Sequence, residues 1–291
     1  MHEHHKEIAV LYHGGCPDGF GGAYAAWKKF GDTAEYIPVK YGNPIPEGLE
    51  GRTVYVIDFC YDDKAEMDKL ASIAKSVTVL DHHKGAEAVV RSFPGVFDAE
   101  HSGATIAWSY FHPDAPTPRL LLLLEDDDLY RFALPETKVV NAYLSVSPHH
   151  FEEWDALAAK LEDPVSSATL VKEFQAYQTY FELLAAHAAA QAKVVLFEGH
   201  ECFFANAHPF ISMRSRVGKI LIEQKPPMAL LVSAHPNGYG VSLRSDGSVD
   251  VAAIARKYGG NGHPESAGFA IEWGQPLPWE LVEKKHDNPG D

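Results

Sequence analysis

Cysteine is scarce in this chain. Cys16, Cys60 and Cys202 are the only three among 291 residues; an odd number cannot form a closed set of disulfides, and the spacing is not that of paired zinc ligands. A reducing, cytoplasmic setting is expected. Long apolar runs are also missing: no stretch reaches the roughly 18 residues that a membrane-spanning helix needs. The first residues, MHEHHKEIAVLYHGG, pass straight into a strand pattern, and no signal peptide is expected there. Basic charge is in deficit, with 25 Lys and Arg against 40 Asp and Glu and a formal net charge of -15. A long nucleic-acid duplex would approach against that field. No basic, aromatic-rich stripe suggests a processive channel for single strands. A small phosphorylated substrate, held in a locally cationic or metal-filled cleft, is compatible with both deficits.

The chain does have 46% hydrophobic residues, enough for two modest cores, and sixteen histidines. EIAVLYH (7–13) has a strand pattern that stops at glycines. DGFGGAYAAWKKFG then reads as a helix carrying small residues where it must pack closely. AEYIPVKYG is a second strand. GRTVYVIDFC is a third, apolar on both faces, as in a buried parallel sheet. KAEMDKLASIAKS is a helix and VTVLDHH a fourth strand. This alternation predicts an open, mostly parallel α/β sheet with flanking helices. SGATIAWSYF and TPRLLLLLEDDDLY continue as helices, and residues 151–193 are mostly helical with a break at EDPVSS. Beyond about residue 194, VVLFEG, ECFFANA, MALLVSAH and GYGVSLRSD read as strands and VDVAAIARKYGG as a helix. The expected organisation is a first domain over 1–185, a helical linker over 186–196 and a smaller α/β domain over 197–291, facing the first across a cleft.

In open α/β sheets, ligands bind outside the C-terminal ends of the strands. His13, Asp58 and the run Asp81-His82-His83 all fall at such ends, and Asp18 lies just beyond the first. A lone His or Asp there is usually a cap or a surface group. Several separated elements each ending in one point instead to metal. Imidazoles mixed with carboxylates suit Mn²⁺, Zn²⁺ or Fe²⁺, whereas an all-oxygen set would suggest Mg²⁺. Two ions sharing a carboxylate can bind a phosphate and activate a water.

The same residues carry a resemblance. VLDHH (79–83), VIDF around Asp58, LYHGGCPDGFGGAYAAW, LLLEDDDLY and, far downstream, GGNGHPESAGFAI (259–271) resemble the motifs of the DHH phosphoesterase family, in the family's order. That family includes the RecJ exonuclease, manganese pyrophosphatases, short exopolyphosphatases and nanoRNases. The resemblance implies that Asp58 bridges two ions, that His82 is a direct ligand and that His83 sits near the substrate phosphate or orients the water. It implies that Asp81 orients the imidazoles, and that His13 and Asp18 are ligands from the first motif. The first motif departs from the family: Phe20 occupies one acidic position of its common form. In the RecJ-like register Cys16 takes the first aspartate's place, either as a soft ligand or as a small packed residue. In the fourth motif Asp126, directly after the apolar run, is expected to face the cleft; Asp128 is the reserve, and the neighbouring acids are expected in solvent. The implied cofactor is a pair of divalent ions, Mn²⁺ first, with Zn²⁺, Fe²⁺, Co²⁺ or Mg²⁺ as alternatives.

In the second domain, Gly259 and Gly260 are expected to let backbone N–H groups approach an anion, with His263 beside them and Asn261 in place of the family's third glycine. An ordinary helix C-cap is the plainer reading of the same glycines. Arg244 is a candidate phosphate clamp, with Arg214 and Arg216 behind it. Trp27, Tyr130, Phe132, Phe210 and Tyr239 are candidates for base stacking, although packing is their default role. The expected activity is metal-dependent hydrolysis of a small or single-stranded phosphodiester, such as a short oligonucleotide or a dinucleotide. Hydrolysis of a phosphoanhydride is the alternative, and a catalytically silent nucleotide- or metal-binding module is the third reading. The apolar helical stretch 165–190 fits either a homodimer surface or an interdomain spine.

Overall fold

The structure is a computed structural model that describes residues 6–40, 42–61, 63–207 and 211–282, without the side chains of residues 211, 212 and 261. Two compact units divide at Gln178 and Thr179.

The first unit is built on β1 (Ile8–His13), β2 (Ala34–Val39), β3 (Thr53–Ile57), β4 (Ser76–Asp81) and β5 (Gly95–Phe97). All are parallel, in the order β2-β1-β3-β4-β5. The three-residue β5 has no clear signal in the sequence. Alternate residues of each strand serve different cores. Val10 and Tyr12 face one side, with Ile57 and Leu80, while Ala9 and Leu11 face the other, with Val54, Val56 and Val79. That period of two is why these strands read as apolar throughout rather than alternating. The helices are α1 (Pro17–Phe30), α2 (Lys64–Ile73), α3 (Glu87–Val90), α4 (Gly103–Phe111), α5 (Arg119–Asp128), α6 (Thr137–Leu144), α7 (Phe151–Glu162) and α8 (Pro164–Ala190). Glycine sets how closely α1 lies on the sheet: a Cβ on Gly22 would stand 2.4 Å from Ile57 Cγ2. The strand order reverses direction at β1, between its neighbours β2 and β3. The crevice between the C-terminal ends of β1 and β3 is therefore the switch point where such sheets bind ligands.

The break expected at EDPVSS is a single residue, Asp163, between α7 and α8. α8 ends at Ala190, inside the stretch expected as a linker at 186–196, and the division between units falls within the helix. The second unit has a seven-stranded sheet: β6 (Lys193–Phe197), β7 (His200–Asn206), β8 (Met228–His235), β9 (Gly238–Ser245), β10 (Asn261–His263), β11 (Ser266–Glu272) and β12 (Trp279–Leu281). Its order is β10-β11-β9-β8-β7-β6-β12, antiparallel except where β7 meets β8. That one parallel pair needs a crossover, which α9 (Ile211–Gln224) supplies. α9 covers one face through Met213, Val217 and Leu221, whereas α10 (Val251–Lys257) covers the other through Val251, Ile254 and Ala255. Among the described residues no helix is long and apolar enough to cross a membrane.

Candidate metal centre

Asp58 lies at the centre of the site. It follows β3 with φ at 62°, and its N–H donates to Leu80 O at 2.9 Å. Asp tolerates this left-handed conformation better than most residues, and the turn directs the carboxylate across the sheet's edge. The N-terminus of α4 presses against it: a Cβ on Gly103 would sit 2.5 Å from Asp58 Cβ. Only 1% of Asp58 is exposed. Its two oxygens turn to different partners. Oδ2 lies 3.3 Å from His13 Nδ1 at the end of β1, and Oδ1 lies 3.2 Å from His82 Nε2 beyond β4.

Each direction leads to a separate cluster. His13, Cys16 and Asp58 bring one potential ligand atom each within 4.8 Å of the others, as do Asp18, His82 and Asp128. Cys16 and Asp18 come from the start of α1. Cys16 is its N-cap, with an extended backbone and no side-chain capping bond, and Pro17 occupies the first helical position. Asp18 is 2% exposed, and Oδ1 accepts a 3.3 Å hydrogen bond from Ala104 N at the start of α4. Phe20 points elsewhere, into the core, stacked on Phe151 and His149 with ring centres 4.8 Å apart in each case. The RecJ-like register of the first motif is thus the one the backbone adopts.

Asp81 is wholly buried, and its Oδ1 accepts from His82 N at 2.8 Å, His83 N at 3.2 Å and His83 Nδ1 at 2.7 Å. One carboxylate oxygen therefore closes the turn and fixes the His83 ring. The imidazole that Asp81 orients is therefore that of His83 and not that of His82.

The fourth motif corrects the expectation for Asp126. That carboxylate accepts from Ala133 N, Leu134 N and Thr137 Oγ1, and so ties down the loop after α5. Asp128, at the last position of α5, stands 3.5 Å from His82 Nε2 and takes the place at the site. Glu125, expected in solvent, is buried and accepts from Ser102 N, Thr105 Oγ1, His101 and Arg131. A helix end turns successive side chains by about 100°, so which carboxylate faces the site depends on how the following loop folds back. Tyr130 and Phe132 lie on that loop, both at positive φ.

The cluster is electrostatically unbalanced without a cation. Burial raises the Asp18 carboxyl well above the usual range, and the charges of Asp58 and Asp128 add to it. Burial likewise raises Asp128, with Asp58 adding to the shift. At Asp58 burial also opposes ionisation, yet the imidazoles of His13 and His82 beside it win, and its carboxyl ends below the usual range. His82, disfavoured as a cation by burial, is nevertheless pushed up to about 10 by Asp58, Asp128 and Asp18. Four buried atoms of the cluster complete no well-aligned hydrogen bond: Asp18 Oδ2, Asp81 Oδ2 and the facing pair Asp58 Oδ1 and His82 Nε2, 3.2 Å apart. Buried polar atoms are rarely left so, and four together around two ligand sets fit divalent cations.

The second unit departs from expectation at its glycines. Gly259 N donates to Arg256 O and Gly260 N to Ala255 O, so both N–H groups close α10 and neither is offered to an anion. Gly259 has φ at 74°, the left-handed helix stop. A Cβ on Gly260 would lie 2.0 Å from Gly268 O, so this residue is required for packing against β11. The side chain of Asn261 lies outside the described residues, as does Phe210. His263 pairs with Ser266, and Ser266 with Arg244, which places all three in one row across β10, β11 and β9. Arg244 donates to Ser215 Oγ at 3.1 Å and to Leu243 O. Arg214, the weaker candidate in the sequence, donates to Ser242 Oγ at 3.0 Å and keeps its Nε buried and unpartnered. Arg216 is tied to Glu182.

The comparisons with known proteins agree with this fold. Residues 210–278 match the model of the DHHA1 domain. Over 302 aligned residues the chain is 26% identical to an uncharacterized protein of Acanthamoeba polyphaga mimivirus, covering 94% of this chain and 70% of that one. RecJ from Thermus thermophilus, in complex with Mn²⁺, superposes with a TM-score of 0.54 at 16% identity, over 92% of this chain and 50% of RecJ. An exopolyphosphatase-related protein from Bacteroides fragilis superposes with a TM-score of 0.54 at 13% identity, over 94% and 89% of the two chains. The chain thus carries a DHH run at the mouth of a sheet that folds like RecJ's, with a match to the DHHA1 domain downstream over residues 210–278.

Proposed function

We propose that the protein is a phosphodiesterase that hydrolyses short oligonucleotides or dinucleotides with a pair of divalent ions. The observation that carries this reading is the divided carboxylate of Asp58, one oxygen toward His13 and Cys16, the other toward His82, Asp18 and Asp128. His13 and Asp58 would hold one ion, and Asp18, His82 and Asp128 the other, with Asp58 between them. Bound there, the ions supply Lewis acidity that activates water and neutralises charge developing on phosphoryl oxygens. Mn²⁺ suits this mixture of imidazole and carboxylate best. His83, its Nδ1 fixed by Asp81, holds a proton beside the cluster where a phosphoryl oxygen can accept it.

The second unit supports a nucleotide over polyphosphate. The row at Arg244 has a single guanidinium, and Arg214 is bonded to Ser242 on the neighbouring part of β9. A polyanion would call for several converging cations. The alternative, phosphoanhydride hydrolysis, uses the same ions and is separated only by substrate.

The test is product release in Mn²⁺ from a 5′-phosphorylated dinucleotide, a longer single-stranded oligonucleotide, a cyclic dinucleotide and polyphosphate. Metal-stripped protein and Asp58→Ala serve as controls. Fastest cleavage of the dinucleotide, lost in both controls, is the expected result. Preference for polyphosphate would transfer the assignment to phosphoanhydride chemistry, and no metal-dependent turnover on any substrate would refute the reading.

A further inference from the structure

We infer that the Cys16 thiolate is a metal ligand and that the centre is built for two different ions: Zn²⁺ at His13, Cys16 and Asp58, and Mn²⁺ at Asp18, His82 and Asp128. The inference rests on the two-ion reading above and adds the inequality of its halves.

The first argument is placement. Cys16 Sγ lies within 4.8 Å of ligand atoms from both His13 and Asp58. The other cysteines have no such surroundings: Cys60 and Cys202 are fully buried among apolar side chains. Cys16 is only partly buried. It caps α1 without a capping bond, where Ser, Thr, Asp or Asn would normally supply one. At this N-cap its side chain lies beside those of His13 and Asp58.

The second argument is independent of the cysteine. Asp58, 1% exposed, completes no well-aligned hydrogen bond at Oδ1, and neither does Asp18, 2% exposed, at Oδ2. Both atoms lie on the His82 side of Asp58 and fit a cation there, next to the half that Cys16 joins. The third argument is donor chemistry. One nitrogen, one sulfur and one carboxylate oxygen make a three-ligand site with an open fourth position, the composition of catalytic zinc sites. The other set has two carboxylates and one imidazole, and shares Asp58. Thiolate selects zinc, and oxygen-rich sets suit manganese. Two identical ions would leave one of the halves mismatched.

The test begins with metal-stripped full-length protein, incubated with one equivalent of Zn²⁺ and an excess of Mn²⁺, because zinc in excess would displace manganese at either half, and freed of unbound ions. Metal content is then measured for wild type, Cys16→Ser and Cys16→Asp. Serine is a favoured N-cap, so Cys16→Ser should fold. Wild type is expected to hold zinc and manganese in equal amounts. Cys16→Ser should lose zinc affinity by on the order of 100-fold, at least the effect seen for lost outer-shell partners. Cys16→Asp should exchange that zinc for manganese. With Co²⁺ as the probe, wild type should show a thiolate-to-metal charge-transfer band in the near ultraviolet that Cys16→Ser lacks. Two ions bound without that band, and zinc retained in Cys16→Ser, would overturn the role of Cys16 and leave the phosphodiesterase reading standing. Failure of every form, wild type included, to bind two ions would overturn both.

Discussion

The mouth of the first sheet and the glycine-rich loop of the second treat their polar groups in opposite ways. At the mouth, Asp18, Asp58, Asp81 and His82 each keep a buried polar atom that completes no well-aligned hydrogen bond. In the loop, the N–H groups of Gly259 and Gly260 are consumed by the helix they terminate. Leaving a buried polar group unsatisfied costs about 1–3 kcal/mol. Several such costs in one place mark a site finished by a ligand, whereas a saturated loop marks architecture. Both regions look like binding motifs in the sequence, and only one retains free valence.

The largest test of this contrast compares neighbours on one helix. Asp128→Asn should weaken Mn²⁺ binding by more than the ~10–100-fold typical of an outer-shell loss, with little change in melting temperature. Asp126→Asn should do the reverse: metal affinity stays, and stability falls by about 1–3 kcal/mol as the Ala133–Thr137 loop loses its acceptor. Calorimetric titration and denaturant unfolding would read the two effects, and equal metal affinities would sink the assignment of Asp128.

Next comes Gly260→Ala, whose added Cβ meets Gly268 O. Loss of about 1–3 kcal/mol of stability is expected, with Mn²⁺ affinity unchanged. If the variant melts like wild type but loses substrate affinity, the loop is a binding element after all.

A smaller effect concerns protons. His82 in the metal-free protein is pushed up to about 10, so it carries a proton at neutral pH that a ligated imidazole cannot keep. Mn²⁺ uptake should therefore release protons and strengthen as pH rises, which titrations in buffers of different ionisation enthalpy would show. In the absence of metal the sign for folding is opposite. A raised imidazole contributes stability in full below its unfolded value near 6.5, and that contribution is lost as pH climbs through about 10.

The smallest expected change is at Glu125, whose carboxyl lies below its usual 4.5; burial opposes the shift, and hydrogen bonds from Thr105, His101 and Ser102 produce it. A depressed carboxyl contributes stability above its unfolded value and loses it as pH falls through the folded one. Glu125→Gln should flatten the decline of stability below about pH 4.5, and an unchanged slope would remove Glu125 from the acid response.

Much of the first unit was legible in the sequence because its information is local. The strands β1, β3 and β4 announce themselves by apolar runs, and each ends on or next to a His or Asp, a recurrence that a single cap would not explain. Cys16 and Phe20 were ambiguous because a spacing can be counted in two registers, and only the turn into α1 shows that Asp18 faces the site and Phe20 the core. The short β5 and the cap at Gly259 were hidden or open for a related reason: three residues carry too little periodicity, and a glycine pair serves a turn or an anion equally well.

By itself the sequence determined the parallel sheet, its ligand-bearing strand ends and the chemistry of the donors, since alternation and residue type are properties of short segments. Only the tertiary structure decided which donors meet. His13, Asp18, Asp58, His82 and Asp128 come from separate elements, and their grouping into two sets around one carboxylate follows from the strand order and the close approach of Gly103. It also decided between Asp126 and Asp128, because the direction of a side chain at a helix end is set by where the next loop finds its hydrogen bonds.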